Sequence, residues 1–531
     1  MAKKRTLLII VILFLILSVL PILTVLIKSF LPNGSFSFEI YARLFLSPRT
    51  WFLLWNSLSL AMTTTVMTLV LGIPLGILFS RTDLPLKGLF TFLFTIPFTI
   101  PSYMIAMGWF YGIASQGFVA KLLGTRITEI MLHYFFGFTG AAFVMTSALL
   151  PLVMILTMIY LGLLDPRLEE AGRLSSGWLL TLRKISLTVI SPGIFLAGLL
   201  VFTLTLGEFG VPSFLRYDVF PVEAFTQFSA FYNFDAATGA AVPLGMITLF
   251  IVMIERFFLR KKNFELMEAV GKEGKIPIEL NQWKPWILIL VIIFALVFVI
   301  VPIVGLIIKS LSLTAFQETF THSMDSIFRS LLYASTGATV LTFFGFFIGY
   351  LLERKVFRFA WAIDSVTFFL FALPGTVIGI GLIGMWNHPA TNFIYSSAAV
   401  IILGYAAQYA ALGERMMAAT YAQIPYSMEE AAQITGAGWF RRLSGIVAPM
   451  ASRGLIATWL VGFLFCLKDV GVTMMIYPPG HDTLPVRIFT LMANSPEGTI
   501  AALCLLMLGI AFLPLGALGI IFKKSRLKSS C

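Results

Sequence analysis

Long apolar runs separated by short polar gaps dominate this chain. A helix needs roughly 20 apolar residues to cross a bilayer core, and by that measure the sequence holds about twelve spans. In the first half they fall near 6–30, 54–80, 88–113, 135–161, 190–210 and 238–259. In the second half they fall near 286–309, 329–352, 361–386, 396–419, 452–471 and 499–522. The pattern predicts an all-α polytopic membrane protein of about twelve transmembrane helices in two homologous six-helix halves. The halves are expected over 1–260 and 285–531, joined by a polar linker over 261–284 that contains Gly271, Gly274 and several lysines. The stretch from Leu7 to Ile27 is too long for a signal core and lacks a small-residue cleavage site. It is therefore expected to remain as the first span.

Two of the polar gaps repeat each other, and internal repeats fix architecture before local detail does. One reads LDPRLEEAGRLSSGWLLTLRKISLTVISPGI from Leu164 to Ile194; the other reads IPYSMEEAAQITGAGWFRRLSGIVAPMASRGL from Ile424 to Leu455. Aligned on their tryptophans, they pair Glu169 with Glu430, Gly177 with Gly438 and Trp178 with Trp439. Other repeats are weaker. Asn56-Ser-Leu matches Arg329-Ser-Leu, Arg81 matches Arg354, Ile96-Pro97 matches Leu373-Pro374, and Glu208-Phe-Gly-Val matches Asp469-Val-Gly-Val.

Each EEA gap reads as a short amphipathic helix. Pro166 and Pro425 suit a first helical turn, where a missing amide costs nothing. Glu169 and Glu170, and Glu429 and Glu430, then fall where the helix dipole favours anions. Ala171 with Gly172, and Ala431 with Ala432, keep the helix slim; Gly177, Gly436 and Gly438 end it. Trp178 and Trp439 suit a membrane–water interface. A single such helix could simply rest on headgroups. Two at equivalent positions point to a docking element.

Composition agrees with the membrane reading. The chain is 59% hydrophobic and only 12% charged, whereas soluble domains carry about 25% charged residues. Mean hydropathy is +0.94. A net charge of +12 could suit nucleic acid, but 27 of the 37 lysines and arginines fall at the two termini and in alternate gaps. That bias predicts cytoplasmic N- and C-termini and cytoplasmic EEA gaps, with lipid rather than nucleic acid as the partner. The three cysteines cannot form a disulfide framework.

Charges and helix breakers inside spans mark candidate pathways. Glu208 and Asp469 stand at equivalent places near the ends of spans five and eleven, either lining a route or capping a helix. Lys468 offers Asp469 a local partner. Pro97 and Pro101 in span three, and Pro374 with Gly375 in span nine, should break their helices, which lipid tolerates only where protein or a cavity satisfies the backbone. Glu414 and Arg415 could pair across helices. The segments 211–236 and 472–497, with Tyr217, Asp218, Tyr232, Asp235, His481 and Asp482, are candidate docking surfaces on the other side. No metal site is assigned.

The stretch Glu430-Ala-Ala, Gly436 and Pro449 resembles the EAA segment of membrane subunits of binding-protein-dependent ABC importers. The first copy departs from it, with Gly172 in place of the second alanine and Gly177 one place late. RTDLP at Arg81, GEFGVPSF at Gly207 and LKDVGVTMMIYPPGHDTLPVRIF from Leu467 extend the resemblance toward the fused ferric-iron permeases. The resemblance implies a type I importer fold in a bacterial inner membrane. It implies that the EEA helices couple to two copies of a separate ABC ATPase subunit, and that a periplasmic or lipid-anchored binding protein delivers ferric iron. Thiamine, phosphonate, sugar-phosphate and polyamine permeases share the class. The chain has no GxxxxGK[ST] phosphate loop, so it is expected to be a transport subunit and not an enzyme. It binds no cofactor of its own, and ATP and Mg belong on the partner. A major-facilitator-type secondary transporter is the rival, but it needs no paired amphipathic gap.

Overall fold

The computed structural model describes residues 2–30, 37–115, 117–231, 234–261 and 277–528. Among these, regular structure is helical apart from one isolated bridge between Thr82 and Ile278. Among the described residues seven helices are long and apolar enough to cross a membrane, and three bent helix pairs bring the number to ten if each pair is one span. With Phe234–Lys261 and Ala399–Ala422 added, helix lies on every expected span.

Two of the bent spans are the ones whose prolines predicted a break. Lys87–Thr99 meets the helix beginning at Ser102 at 104°, and Ala360–Ala372 meets Gly375–Trp386 at 105°. Steric clash with a proline ring drives the preceding residue out of helical geometry. Accordingly Ile100 is extended (φ −112°, ψ 157°) before Pro101, and Leu373 (φ −69°, ψ 140°) before Pro374. The structural counterpart of Pro374 is thus Pro101 rather than Pro97, which sits inside the Lys87–Thr99 helix. Asn56, Arg81, Pro101 and Gly108 all stand at one constant separation from Arg329, Arg354, Pro374 and Gly381. Carbonyls freed by such a break need a donor at membrane depth. The buried Gln408 supplies it, its Nε2 donating to Phe371 O (3.0 Å) and Leu373 O (3.1 Å).

The chain packs as two compact units whose membership interleaves along the sequence. One comprises Met1–Thr50, Phe220–Thr248 and Ser312–Cys531; the other comprises Trp51–Val219 and Leu249–Leu311. Each unit therefore takes the first span of one sequence half and packs it with later spans of the other half. Glycines allow the approach. A methyl group at Gly108 would fall 2.2 Å from the Pro302 carbonyl oxygen, and one at Gly381 would fall 3.0 Å from that of Pro21. These first spans also share a π-helical turn, Leu15–Val19 in one and Leu296–Ile300 in the other.

Residues 262–276 of the linker lie outside the described residues. Its end is stitched to the loop after Arg81: Ile278 N–H donates to Arg81 O (2.7 Å) and Asp83 N–H to Ile278 O (3.2 Å). Lys284 Nζ lies 2.8 Å from Asp83 Oδ2, and Leu280 N–H donates to Oδ1 (3.0 Å). The Lys284 ammonium and that amide hold the Asp83 carboxyl below the usual carboxylate range.

Gly108→Leu should displace the helix carrying Pro302, because a well-packed contact leaves no room for the side chain; overpacking typically costs about 1–3 kcal/mol. Gly384→Ala, where a methyl meets nothing within 4 Å, is the control. Thermal unfolding in detergent should fall for the first variant and stay at the wild-type midpoint for the second.

Candidate functional site

Both EEA gaps form the expected helices, Pro166–Thr181 and Tyr426–Ile434. Asp165 caps the first, its side chain accepting from Arg167 N–H at 2.9 Å; Pro425 occupies the cap position of the second. In each helix the fourth residue is a buried glutamate, Glu169 or Glu429. This corrects the tryptophan-based pairing: Glu169 corresponds to Glu429, and Glu170 to Glu430. The turn that follows is one residue longer in one copy. Gly177 adopts φ +74° eight positions after its glutamate, and Gly436 φ +83° seven after. Gly438 instead caps the short helix Trp439–Arg442.

Each buried glutamate is held by the arginine that ends the second or eighth span. Arg81 Nη2 lies 3.0 Å from Glu169 Oε2, and its Nε donates to Oε1 at 3.1 Å. The same Nη2 reaches Leu161 O, at the end of the fourth span (2.5 Å), and Ser186 Oγ donates to Glu169 Oε1 (2.8 Å). In the other unit Arg354 Nε donates to Glu429 Oε1 (2.9 Å) and Nη2 to Ile424 O (3.0 Å). Tyr350 OH donates to Glu429 Oε2 (2.7 Å). Every partner lies within the unit of its glutamate. Sequence reading matched Arg81 to Arg354 but not to these carboxylates. The two spacings differ, 88 residues from Arg81 to Glu169 and 75 from Arg354 to Glu429, so the repeat carried no direct signal for the pairing.

Beside each anchored glutamate the next residues turn outward. Glu430, Ala171 and Ala431 are exposed, while Glu170 and Ala432 are half-buried. Gly172 is buried, where a methyl would meet Ile185 Cδ1 at 2.5 Å, so the departure from alanine there is a packing requirement. Leu174 is 90% exposed and Ile434, at the equivalent position, 87%. Two large apolar side chains fully presented at matched positions form an uncovered surface. The tryptophans differ. Trp439 is buried against Tyr350, with ring centroids 6.2 Å apart, and is not an interface ring. Trp178 is half-buried with the Arg173 guanidinium 5.4 Å from its centroid. A π-helical turn follows the tryptophan-bearing turn of each copy, Leu182–Ser186 after Thr181 and Leu443–Val447 after the short helix Trp439–Arg442.

The carboxylates of spans five and eleven serve as caps, each in its own unit. Glu208 Oε1 accepts from Gly210 N–H (3.1 Å) and Val211 N–H (3.3 Å). Asp469 is buried; its Oδ2 accepts from Thr473 N–H (2.9 Å) and Oγ1 (2.6 Å), and its Oδ1 from Tyr409 OH (2.7 Å). Lys468 Nζ lies 4.6 Å from the Phe465 ring centroid. The broken spans pack directly on these caps. A methyl at Gly375 would fall 2.7 Å from Val472 N, and one at Gly210 would fall 3.0 Å from the Tyr103 ring. Pro97 lines a small apolar pocket with Ile96, Ile100, Ile105 and Pro302. Arg415 pairs with Asp364 (3.1 Å), and Glu414 accepts from Thr367 on the same neighbouring helix. No group of three or more His, Cys, Asp or Glu that could hold a metal ion occurs among the described residues.

The remaining described candidates are latched to the second, fourth and eighth spans. Asn56 Nδ2 donates to Asp218 O (2.9 Å). Arg329 pairs with Asp482 (2.9 Å), and Tyr333 OH lies 2.6 Å from His481 Nδ1. The Phe138 and Tyr217 rings are 5.7 Å apart. Tyr232 and the side chain of Asp235 lie outside the described residues.

Arg354→Ala would leave Glu429 buried without its cation, a change that typically costs about 3–5 kcal/mol. The double variant Arg354→Met/Glu429→Leu removes both charges and should recover most of that loss. Thermal unfolding and limited proteolysis within 424–445 would check both, and equal damage in the two variants would contradict the assignment.

Comparison with known proteins agrees with this architecture. Residues 342–525 match the family described as binding-protein-dependent transport system inner membrane component. The chain is 22% identical over 503 residues to a putative ferric transport system permease protein, FbpB 1, of Haemophilus influenzae, covering 91% of this chain and 79% of that one. It is 24% identical over 478 residues to the Fe(3+)-transport system permease protein FbpB 2 of the same organism, covering 88% and 89%. A spermidine/putrescine transport system permease protein, PotC, is 24% identical over 218 residues, 40% of this chain and 84% of that one. With its twice-repeated anchored helix and two sets of spans, the chain is similar over most of its length to membrane permease components of binding-protein-dependent ABC importers, in a fused two-half form.

Proposed function

We propose that this chain forms the translocation pathway of an ATP-driven importer and that Leu174 and Ile434 seat its two EEA helices in grooves of two copies of a separate ATPase subunit. The observation that carries this reading is the matched pair of exposed apolar side chains, each on a helix whose base is pinned by a buried ion pair. Glu170 and Glu430, beside the pinned glutamates, present carboxylates to the same partner. Both EEA helices and both termini face the cytoplasm in this reading, and the membrane is a bacterial inner membrane.

The chain itself holds no nucleotide; ATP and Mg sit on the partner. When two ATPase subunits close on ATP, their grooves carry the EEA helices, and each ion pair passes the movement to the second or eighth span. Shifting a population from 1:99 to 99:1 takes about 5.5 kcal/mol of differential binding, which nucleotide-driven closure can provide. A periplasmic or lipid-anchored binding protein delivers cargo from the other side. Ferric iron is the proposed cargo, supported by the names of relatives that align over most of the chain; a polyamine is the second reading, supported by a shorter alignment. Glu208 and Asp469, packed on the broken spans with Pro101, Pro374 and Gly375, border the route.

Leu174→Arg/Ile434→Arg, and separately Glu430→Lys, should abolish co-purification of the ATPase from membranes while the permease remains inserted and folded. Normal recovery of the complex with both variants would sink the docking assignment. Glu208→Ala/Asp469→Ala should lower uptake of labelled ferric iron without disturbing assembly. Unchanged uptake would remove these carboxylates from the route.

A further inference from the structure

The first half carries a segment between its third and fourth spans that the second half lacks. Residues 117–135 form two helices, Phe118–Leu123 and Thr125–Phe135. The equivalent gap, between Trp386 and Ala399, holds only the four-residue helix Asn392–Tyr395. The extra segment lies at the end of the fourth span remote from the EEA helix, since Phe138–Gly162 leads away from it.

The Thr125–Phe135 helix has three faces. Thr128 and Phe135 are buried against the protein. Arg126, Glu129 and His133 are exposed and polar. Ile127, Ile130 and Tyr134 fall on one further stripe by the spacing of a helix, extended by Leu122 and Leu123, and all five are exposed. Such a stripe is uncovered among the described residues, and its surroundings indicate what covers it. Around the helix end lie Phe110, Phe136 and Phe214, with Phe110 6.1 Å from Phe136 and 6.0 Å from Phe214. The Arg216 guanidinium lies 5.7 Å from the Phe136 ring, and Lys309 Nζ lies 6.0 Å from that of Tyr111. Aromatic rings with cations beside them at span ends mark the level of the headgroups. Phe136 is extended and Gly137 has φ +96°, so the helix cannot continue into the fourth span and must leave its axis.

We propose that Thr125–Phe135 lies in the lipid–water interface of the leaflet opposite the EEA helices. Ile127, Ile130 and Tyr134 enter the acyl boundary, and Arg126, Glu129 and His133, with Lys121 just before them, face the headgroups. A helix with one apolar stripe and a polar face lies on a bilayer in this way, held chiefly by its buried apolar area. The reading does not depend on the cargo. It anchors one half of the permease against the bilayer and leaves the other without an equivalent.

The test uses the full-length protein in nanodiscs of phosphatidylethanolamine and phosphatidylglycerol, with Cys466, Cys504 and Cys531 replaced by alanine. Ile130→Cys and Glu129→Cys each receive an environment-sensitive fluorophore. The label at 130 should be blue-shifted and quenched severalfold more by shallow doxyl-labelled lipid than by iodide, with the reverse order at 129. Photo-crosslinking of cysteine-intact protein to diazirine-bearing phosphatidylglycerol, mapped to peptides within 121–136, gives the same readout without substitutions. An aqueous label at 130 with no lipid adduct overturns the proposal. So does shielding that appears only when the loaded binding protein is added, which would make the stripe a protein-docking surface.

Discussion

A buried arginine–glutamate pair at the root of each amphipathic helix is the constraint on which the rest depends. Taking two charges out of water is expensive and is offset only when geometry is good and the remaining polar atoms are satisfied. Here they are. The Arg81 guanidinium serves a carboxylate and a main-chain carbonyl, and Ser186 takes up another lone pair of Glu169. Arg354 does the same with Glu429 and Ile424, and Tyr350 fills the part of Ser186. Each arginine also sits at the C-terminal end of a long helix, where the dipole favours a cation. One side chain thereby joins the end of one span, the end of another and the first turn of the amphipathic helix. That helix cannot roll or slide without breaking a saturated buried network, so a force applied to its exposed face is delivered to the spans.

What the force would move is set by the broken spans. A proline at Pro101 and at Pro374 dictates a sharp turn, and the loss of helical hydrogen bonds there must be made good inside the unit. Gln408 does this for the second half. Beyond the break, glycine surfaces let the displaced half-helix lie directly on the capped turn after span five or eleven and on the first span borrowed from the other sequence half. Such contacts, in which a glycine backbone meets a neighbouring backbone or ring directly, leave few alternative packings. They favour movement by rigid pieces over gradual deformation.

Much of this was legible in the residues, for identifiable reasons. Span positions follow from apolar length alone, and helix lies on each of them. The break at Pro101 and Pro374 follows from local sterics, but Ile96-Pro97 matches Leu373-Pro374 in the repeat as well as Ile100-Pro101 does, because such dipeptides look alike wherever they fall. The same ambiguity shifts the amphipathic helices by one residue: the tryptophans pair in the sequence, yet the glycine turn before them differs in length, and the helix register is carried by the buried glutamate instead. The exchange of first spans was not legible. Hydropathy states that a segment crosses the membrane but carries no information about its neighbours. Only the small residues Gly108 and Gly381 hinted at close approach, and a glycine does not name its partner.

The differences between the halves are as informative as the likeness. At the anchor, the arginine, the glutamate, the carbonyl acceptor and the exposed apolar residue recur, while the auxiliary donor changes from a serine to a tyrosine. At the cap after the fifth or eleventh span, glutamate becomes aspartate, and the shorter side chain is more deeply buried and gathers a tyrosine and a threonine in place of two bare amides. At the far end, one half gains two extra helices and the other has almost none. Freedom to diverge thus increases with distance from the arginine. In two copies fused into one chain, nothing in the peptide linkage enforces similarity, so a feature that stays alike does so because its physics leaves few substitutes. A buried carboxylate has few solutions other than a cation that can also satisfy its surroundings, whereas a helix resting on a boundary needs only an apolar stripe or can be dispensed with.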